Sequence, residues 1–428
     1  MSRVALPVVT PVIGLALKSL RARLAAVLLA VLSIAVSVAL LMSVSAVRDG
    51  ARASFAGTIS GTDVIIGARS GDVQLLLYAV FRLGNATNNL TWESYEDIAA
   101  HPAVEWAAPI SLGDSHRGFR VMGVTQAYFQ HYRYRGDRAL KIDQGAPLFD
   151  LYDAVIGADV ARALGYSAGD KIVVAHGLGA AAFREHQDKP FTVAGVLEKT
   201  GTPVDRTVHV SLEAIEAIHI DWRKGAPVPG ISITAEETRQ LDLKPKAVTA
   251  ALIGVKSRLA IFDFQRFVNE YAEEPLSAIL PGVALQQLWS VIGVGEVALA
   301  AVAAMVVIAA LLGIATMLLA TLNERRRELA ILRAVGAGPA TIFGLLISEA
   351  VAISVAGAVL GAGLHYLGFM IAQPWIDEAF GLYLPVEFPG LRELLFVALV
   401  GLSGALAGLP PAIRAYRLSL ADGIAVRN

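Results

Sequence analysis

The stretch NERRRELAILRAVGAG, Asn323 to Gly338, decides how this chain is read. It places six charged side chains within eleven residues, yet Val297 to Asn323 before it carries no charge. Beyond it, Ala350 to Ile376 holds only His365 as a potentially charged group. Glu, Arg, Leu and Ala are good helix formers. Asn323 is expected to cap the start of a helix, and Gly336 followed by Gly338-Pro339 to stop it. Leu329, Leu332 and Val335 recur every three residues and form one apolar stripe, with Arg325, Arg326, Glu328 and Arg333 mostly away from it. Such a helix either lies at the lipid interface with its arginines on phosphates, or docks its stripe into a groove on another protein.

The flanking segments place that helix between membrane spans. The chain has 428 residues, 55% hydrophobic and 17% charged, with a formal net charge of -1. Ordinary soluble domains carry about 25% charged residues, so this surface is too apolar for water alone. A bilayer core needs about 20 apolar residues in a helix. Four uncharged or nearly uncharged stretches qualify: Leu24–Val47, Val297–Asn323, Ala350–Ile376 and Leu394–Ile413. The first exceeds the roughly 7–15 apolar residues of a cleaved signal, so a retained span is expected. Cysteine is absent, which excludes disulfides and thiolate zinc sites. The near-neutral charge gives no sign of nucleic-acid binding.

Basic residues orient the spans. Arg3, Lys18, Arg21 and Arg23 precede the first; Arg325, Arg326, Arg327 and Arg333 lie between the second and third; Arg414, Arg417 and Arg427 follow the fourth. The third connection carries Asp377, Glu378 and Glu387 with no base before Arg392. Both termini and the charged helix are therefore expected in the cytoplasm, and residues 48–285 outside. That outer region has strand-like runs (DVIIGA, GDKIVVAHG, KPFTVAGVLE, RTVHVSL, AVTAALIGVK) interleaved with helix-like TWESYEDIAAH and GADVARALGY. The fold class expected is a membrane protein of four transmembrane α-helices, with a large mixed α/β extracytoplasmic domain inserted between spans 1 and 2. The expected divisions are 1–47 (cytoplasmic N-terminus and first span), 48–285 (outer domain) and 286–428 (stalk and spans 2–4). As one helix, Pro275–Asn323 would be about 70 Å long, more than twice a bilayer core, so part of it should stand outside as a stalk. Pro281, Gly293 and Gly295 are its expected bend points.

NERRRELAILRAVGAGPATIFGLLISEA, Asn323 to Ala350, resembles the signature of the FtsX/MacB/LolC-like permease family of ABC transporters, in which a span ends in a charged RRREIAILRALGA helix. PAIRAYRLSLADGI, Pro411 to Ile424, is similar to the family's ending, PARRAARLDPAEAL. VIIGARSGDVQLLLYAVFRL and VIGADVARALGYSAGDKIVV resemble its periplasmic core domain. The likeness covers nearly the whole chain and is most specific over 320–350. The segment AVGAGPATI lacks the basic residue often found after the family's Gly-Ala.

The resemblance implies that Glu324, Arg325, Arg326, Arg327, Glu328, Leu329, Leu332 and Arg333 form a coupling helix on a separate cytoplasmic ATPase. That partner would carry ATP and magnesium, leaving no cofactor in this chain. It further implies a permease homodimer in the bilayer of a bacterial inner membrane, with a periplasmic protein as an additional partner. ATP use would move the outer domain (mechanotransmission) or drive export or extraction of a substrate. Alternatives within the resemblance are an FtsX-like regulator of cell-envelope enzymes and a metal-handling ABC system component.

No G-x-x-x-x-G-K-[ST] occurs, so any ATPase is expected on another chain. HGLGAA, His176 to Ala181, mimics G-x-G-x-x-A with Glu198 about 20 residues on, but no βαβ pattern follows and it reads as a turn. H-E-x-x-H and G-x-S-x-G are absent, so no catalytic residues are assigned. Glu349, an acid inside the third span, reads as a structural partner in the bundle or as a proton or substrate contact. Gly357 with Gly361, and Gly404 with Gly408, mark close packing of the third and fourth spans or of a dimer. Seven of eight histidines lie in the outer region: His101, His116, His131, His176, His186, His209 and His219. His101, His116, His176 and His186 are the metal-ligand candidates, although no pair shows a recognised ligand spacing.

Overall fold

The structure is a computed structural model; residues 24–177, 184–223, 226–227, 233–324, 326–380 and 390–417 are described. Arg3, Lys18, Arg21, Arg23, Arg325, Arg427 and most of HGLGAA lie outside them. The chain forms two compact units, one built on Gly50–Gly293 and the other on the membrane-spanning helices.

In the first unit, strand-forming runs rich in Val and Ile build one sheet. Its strands are β1 (Val64–Ala68), β2 (Val104–His116), β3 (Phe119–Val124), β4 (Ile142–Gly145), β5 (Asp153–Ile156), β6 (Lys171–Ile172), β7 (Ala175–His176), β8 (Arg184–Glu185), β9 (Phe191–Leu197), β10 (Thr207–Ser211), β11 (Ala250–Val255) and β12 (Leu276–Ile279). The order is β12-β1-β11-β2-β3-β10-β5-β9-β4, with β7 on β2 and β8, and β6 on β9. The β10–β3 and β9–β5 pairs are parallel and the other pairings antiparallel. Residues alternate across the sheet, so neighbours face opposite cores. Ile65, Leu252 and Val155 enter one cluster with Tyr128 and Leu285; Val64, Ile66, Ala251 and Ile253 enter a second; Ala154, Ile156, Val208 and Val210 enter a third. Both faces are thus covered, as a mixed α/β layer requires. The strands β1, β9, β10 and β11 match the sequence reading closely. The central hairpin β2–β3 was not foreseen, because Pro109 and the polar GDSH run obscure its alternation.

Among the described residues, four helices are long and apolar enough to cross a membrane. They are α1 (Leu24–Gly57), and then, after the short helices of the outer unit, Pro281–Glu324, Pro339–Phe380 and Leu391–Arg417. Ile34 and Val38, Ala310 and Ile314, Ala350 and Ile353, and Val400 bring all four into one core. Gly357 and Gly361 do not meet the fourth helix as expected; they meet α1. A Cβ at Gly357 would lie 2.7 Å from Ile34 Cβ, and one at Gly361 2.9 Å from Val38 Cβ. The Gly404–Gly408 pair does pack on the third helix, with a Gly408 Cβ falling 2.8 Å from Ala350 Cβ. Lipid tails give helices no hydrophobic reason to associate, so close approach at glycine supplies the packing. Ser43 Oγ and His365 Nδ1 add a 2.9 Å hydrogen bond between α1 and the third helix.

Pro281–Glu324 is a single helix of 44 residues. Gly293 and Gly295 lie inside it without breaking it. Pro281 stands at its first position, where a missing N–H leaves nothing unpaired. Its first turns belong to the outer unit: Ala284 and Leu285 are buried in the sheet's first core, and Trp289 packs edge-on against Phe55 at 5.5 Å. This places the unit boundary at Gly293, beyond the expected residue 285.

Candidate functional site

The charged stretch forms the helix Arg326–Ala334. Asn323 does not cap it, since Asn323 and Glu324 continue the preceding long helix. The C-terminus ends as expected: Gly336 adopts φ +105, its N–H reaches Arg333 O at 3.0 Å, and the Ala337 N–H reaches Leu332 O at 2.9 Å. This pair of bonds satisfies the last carbonyls, and the left-handed turn suits glycine.

The exposed face differs in part from the sequence reading. Leu329 is buried with Leu322, Ile342, Leu346, Ala412 and Ala415, and Leu332 packs beside them. Leu329 and Leu332 of the stripe expected to enter a partner's groove are therefore covered by the chain's own helices, while its third member, Val335, is not. Arg333 donates to the Ala415 and Tyr416 carbonyls at 3.3 and 3.2 Å, near the end of Leu391–Arg417, where helix carbonyls favour a cation. Glu328, Ile331 and Val335 are exposed, Ile331 by 56% and Val335 by 83%. Their spacing of three and four residues puts them on one face. The side chains of Glu324, Arg325, Arg326 and Arg327 lie outside the described residues. Glu349 is buried within the third helix.

The four metal-ligand candidates separate. His101 stacks on Phe267 with centroids 4.6 Å apart and accepts the Ala103 N–H at 3.2 Å. His116 is buried, its Nδ1 bonded to Val173 O at 2.6 Å and its Nε2 to Tyr166 hydroxyl at 3.1 Å. Both rings are thus engaged in packing and hydrogen bonds. His176 and His186 instead converge with two residues the candidate set omitted, Asp114 and His219. Asp114 lies on β2, and register sets His176 of β7 opposite it. His186 follows β8, its N–H bonded to Val174 O at 2.8 Å. His219 ends the helix Leu212–His219, whose Ser211 cap accepts the Ala214 N–H.

Asp114 Oδ1 lies 3.1 Å from His176 Nδ1 and 3.5 Å from His219 Nε2, and those two nitrogens are 3.0 Å apart. One ligand atom each from Asp114, His186 and His219 falls within 4.8 Å of the others. The Trp222 ring stands 4.5 Å from His186 and 5.7 Å from His219, centroid to centroid. Burial pushes the Asp114 carboxyl up, but hydrogen bonds from His176 and His219 outweigh it and bring the pKa to about 2. Burial, with the His219 charge beside it, pulls His186 down to about 4, so its ring is neutral at pH 7. Burial also pulls on His219, but Asp114 raises it overall. No short-range spacing announces this cluster; the available signal was a polar GDSH run inside an otherwise apolar strand.

Comparison with known proteins accounts for both units. The MacB-like periplasmic core domain model matches residues 27–251, and the FtsX-like permease C-terminal model matches 300–420. An uncharacterized ABC transporter permease of Methanocaldococcus jannaschii is 22% identical over 204 residues, covering 45% of this chain and 47% of that protein. The chain thus spans about half the length of that relative. The periplasmic region of MacB from Actinobacillus actinomycetemcomitans aligns at 12% identity over 54% of this chain and 94% of its own, with a TM-score of 0.33. The extracellular domain of the noncanonic ABC-type transporter YknZ from Gram-positive bacteria aligns at 12% identity over 51% and 99%, with a TM-score of 0.30. With a periplasmic core domain matched over more than half of its length and a permease domain following it, this four-helix membrane chain belongs to the FtsX/MacB-like family of ABC transporter permeases.

Proposed function

We propose that this chain is the membrane subunit through which a separate cytoplasmic ATPase moves the extracytoplasmic domain. The observation that carries the reading is the unbroken helix Pro281–Glu324. Near its start, Ala284 and Leu285 are buried in the outer sheet's core; near its end, Leu322 is buried with Leu329 of the charged helix. A helix is stiff along its axis because every backbone bond is internal. A push on Arg326–Ala334 therefore has a continuous element to travel through. ATP and magnesium belong to the ATPase partner, and a homodimer of permeases gives each ATPase copy its own charged helix. The basic residues around the spans support cytoplasmic termini, and the reading places the chain in a bacterial inner membrane.

The exposed Glu328–Ile331–Val335 face is the ATPase contact in this reading. Exposed apolar residues rimmed by charge are the usual composition of a docking face. Ile331→Asp, and the paired reversal Arg326→Glu with Glu328→Arg, are expected to lower permease-dependent ATP hydrolysis by about tenfold or more, as loss of an interface anchor does. Thermal unfolding should stay unchanged, because Ile331 is not part of the chain's own core. The measurement is ATP hydrolysis by the co-purified complex in lipid. Full stimulation in both variants would remove this helix from the coupling path.

Sidedness can be read separately. The chain has no cysteine, so single cysteines report without background. A membrane-impermeant maleimide applied to intact spheroplasts is expected to label Ser167→Cys on the outer unit and to miss Val335→Cys until the membrane is opened. Labelling of both from one side would leave the lever without two ends.

A further inference from the structure

We propose that Asp114, His176, His186 and His219 form a binding site for a divalent transition-metal ion, with zinc the best-suited ion, on the extracytoplasmic domain. The proposal stands on local geometry and is independent of the ATPase contact.

Three imidazoles and one carboxylate are a donor set that zinc takes tetrahedrally, at about 2.0–2.2 Å from each ligand. Ligands at those distances lie about 3.3–3.5 Å from one another. Three of the separations, Asp114–His176, Asp114–His219 and His176–His219 at 3.1, 3.5 and 3.0 Å, lie close to that spacing, and His186 offers a nitrogen within 4.8 Å of Asp114 and His219, so its ring closes in when the ion binds. His219 Nδ1 is bonded to Ile215 O at 2.8 Å. That bond assigns the proton to Nδ1 and turns the Nε2 lone pair toward Asp114. Metal-bound histidines are commonly oriented in this way by a backbone carbonyl.

Hydrogen bonding alone can satisfy part of the cluster. His176 can donate from Nδ1 to Asp114 or to His219, and a protonated His219 can pair with Asp114. That arrangement leaves His186 over. His186 is 1% exposed, and among the described residues neither ring nitrogen has a hydrogen-bond partner. Buried polar atoms without partners are uncommon in folded proteins, and each calls for a physical reason. A cation accepting one His186 lone pair supplies that reason, and the adjoining carboxylate supplies the countercharge. The Trp222 face closes one side of the cluster, while the His176 side chain, 40% exposed, leaves a route for an ion from solvent.

The loop bearing His186 is held independently of any ion. Lys189 Nζ, fully buried, reaches both oxygens of Asp221 at 3.2 Å, and its N–H returns to His186 O at 3.1 Å. The backbone carrying His186 is thus held by the fold, which lowers the ordering that binding must impose.

The test uses the full chain in detergent, stripped with chelator and titrated with zinc chloride by calorimetry and with cobalt chloride by visible absorption. One zinc ion per chain is expected, binding well below ~10 μM, with cobalt showing the strong visible bands of a tetrahedral site. His186→Ala and Asp114→Asn should each weaken zinc at least ~100-fold, in line with losing a ligand or its support. His176→Ala, at the most exposed ligand, should weaken binding and remove the cobalt bands without disturbing the fold. His101→Ala should bind as the parent does. Absence of zinc binding below ~10 μM, or binding that survives the His176 and His186 substitutions, would overturn the site.

Discussion

Lys189→Ala is expected to cost the outer domain about 3–5 kcal/mol, because it leaves a buried carboxylate without its counter-ion. Lys189 is 0% exposed and Asp221 only 6%. The ammonium contacts Asp188 Oδ2 at 2.8 Å and both Asp221 oxygens at 3.2 Å. Burial alone would lower the Lys189 pKa, and the two carboxylates more than reverse it, so the lysine stays charged. Removing the cation strands Asp221 inside the protein, whereas removing both partners by Lys189→Met with Asp221→Leu replaces a buried ion pair with apolar packing and is expected to recover most of the loss. Urea unfolding followed by the tryptophan fluorescence of the full chain measures both. A loss below about 1 kcal/mol for the single variant would mean that water reaches Asp221 and that the pair acts as an exposed one. Because His186 and Trp222 flank this pair, the single variant should also blur the histidine cluster.

Acidification is expected to weaken the same domain through His209. This ring is 0% exposed in the sheet, its Nδ1 3.1 Å from Val155 O and its plane among Tyr128 and Phe129. Burial first, and then the charge of Arg82, pull its pKa from 6.5 to about 3, against the opposing Val155 carbonyl. The folded state thus holds His209 neutral while the unfolded chain takes up a proton below about 6.5. Its contribution is complete above that pH and falls as pH drops from 6.5 toward 3, by one proton, about 1.4 kcal/mol per pH unit. At pH near 4.5 the loss from this residue is about 2.7 kcal/mol. His219 works in the opposite sense: its raised pKa contributes fully below 6.5 and adds no slope in the acid range. His209→Phe is expected to remove one proton from the pH dependence of urea unfolding. An unchanged slope in that variant would show that His209 is already solvated in the folded protein.

The sequence made some parts of the protein legible and hid others for identifiable reasons. The strands β1, β9, β10 and β11 announce themselves through short apolar runs containing Val and Ile, and TWESYEDIAAH reads as helix-like; the structure adds its Thr91 cap, whose side chain accepts the Ser94 N–H at 3.3 Å. The strand β2 does not, because Pro109 and the GDSH run break its apolar pattern, and that strand carries Asp114. Gly336 was readable as a helix stop because a left-handed residue after a helix is a local requirement. Asn323 was misread as a cap: the same residue type also tolerates a helix interior, and the turn before it is uncharged and helical without interruption. Nothing in local spacing separates the metal candidates His176 and His186 from His101 and His116, whose rings are taken up by aromatic packing and hydrogen bonds.

What the amino-acid order determined alone is the set of four apolar spans, the large insertion after the first, the unequal placement of arginine, and a charged helix between two spans. Each depends on neighbouring residues, since hydrophobicity and helix formation act over a few turns of chain. The tertiary structure decided that Leu329 and Leu332 face inward while Ile331 and Val335 remain open, that Gly357 and Gly361 meet the first helix, and that Asp114 meets His176 and His219. His176 stands 62 residues from Asp114 and 43 from His219 along the chain. Only strand register and helix packing close such separations, and neither is written in local spacing.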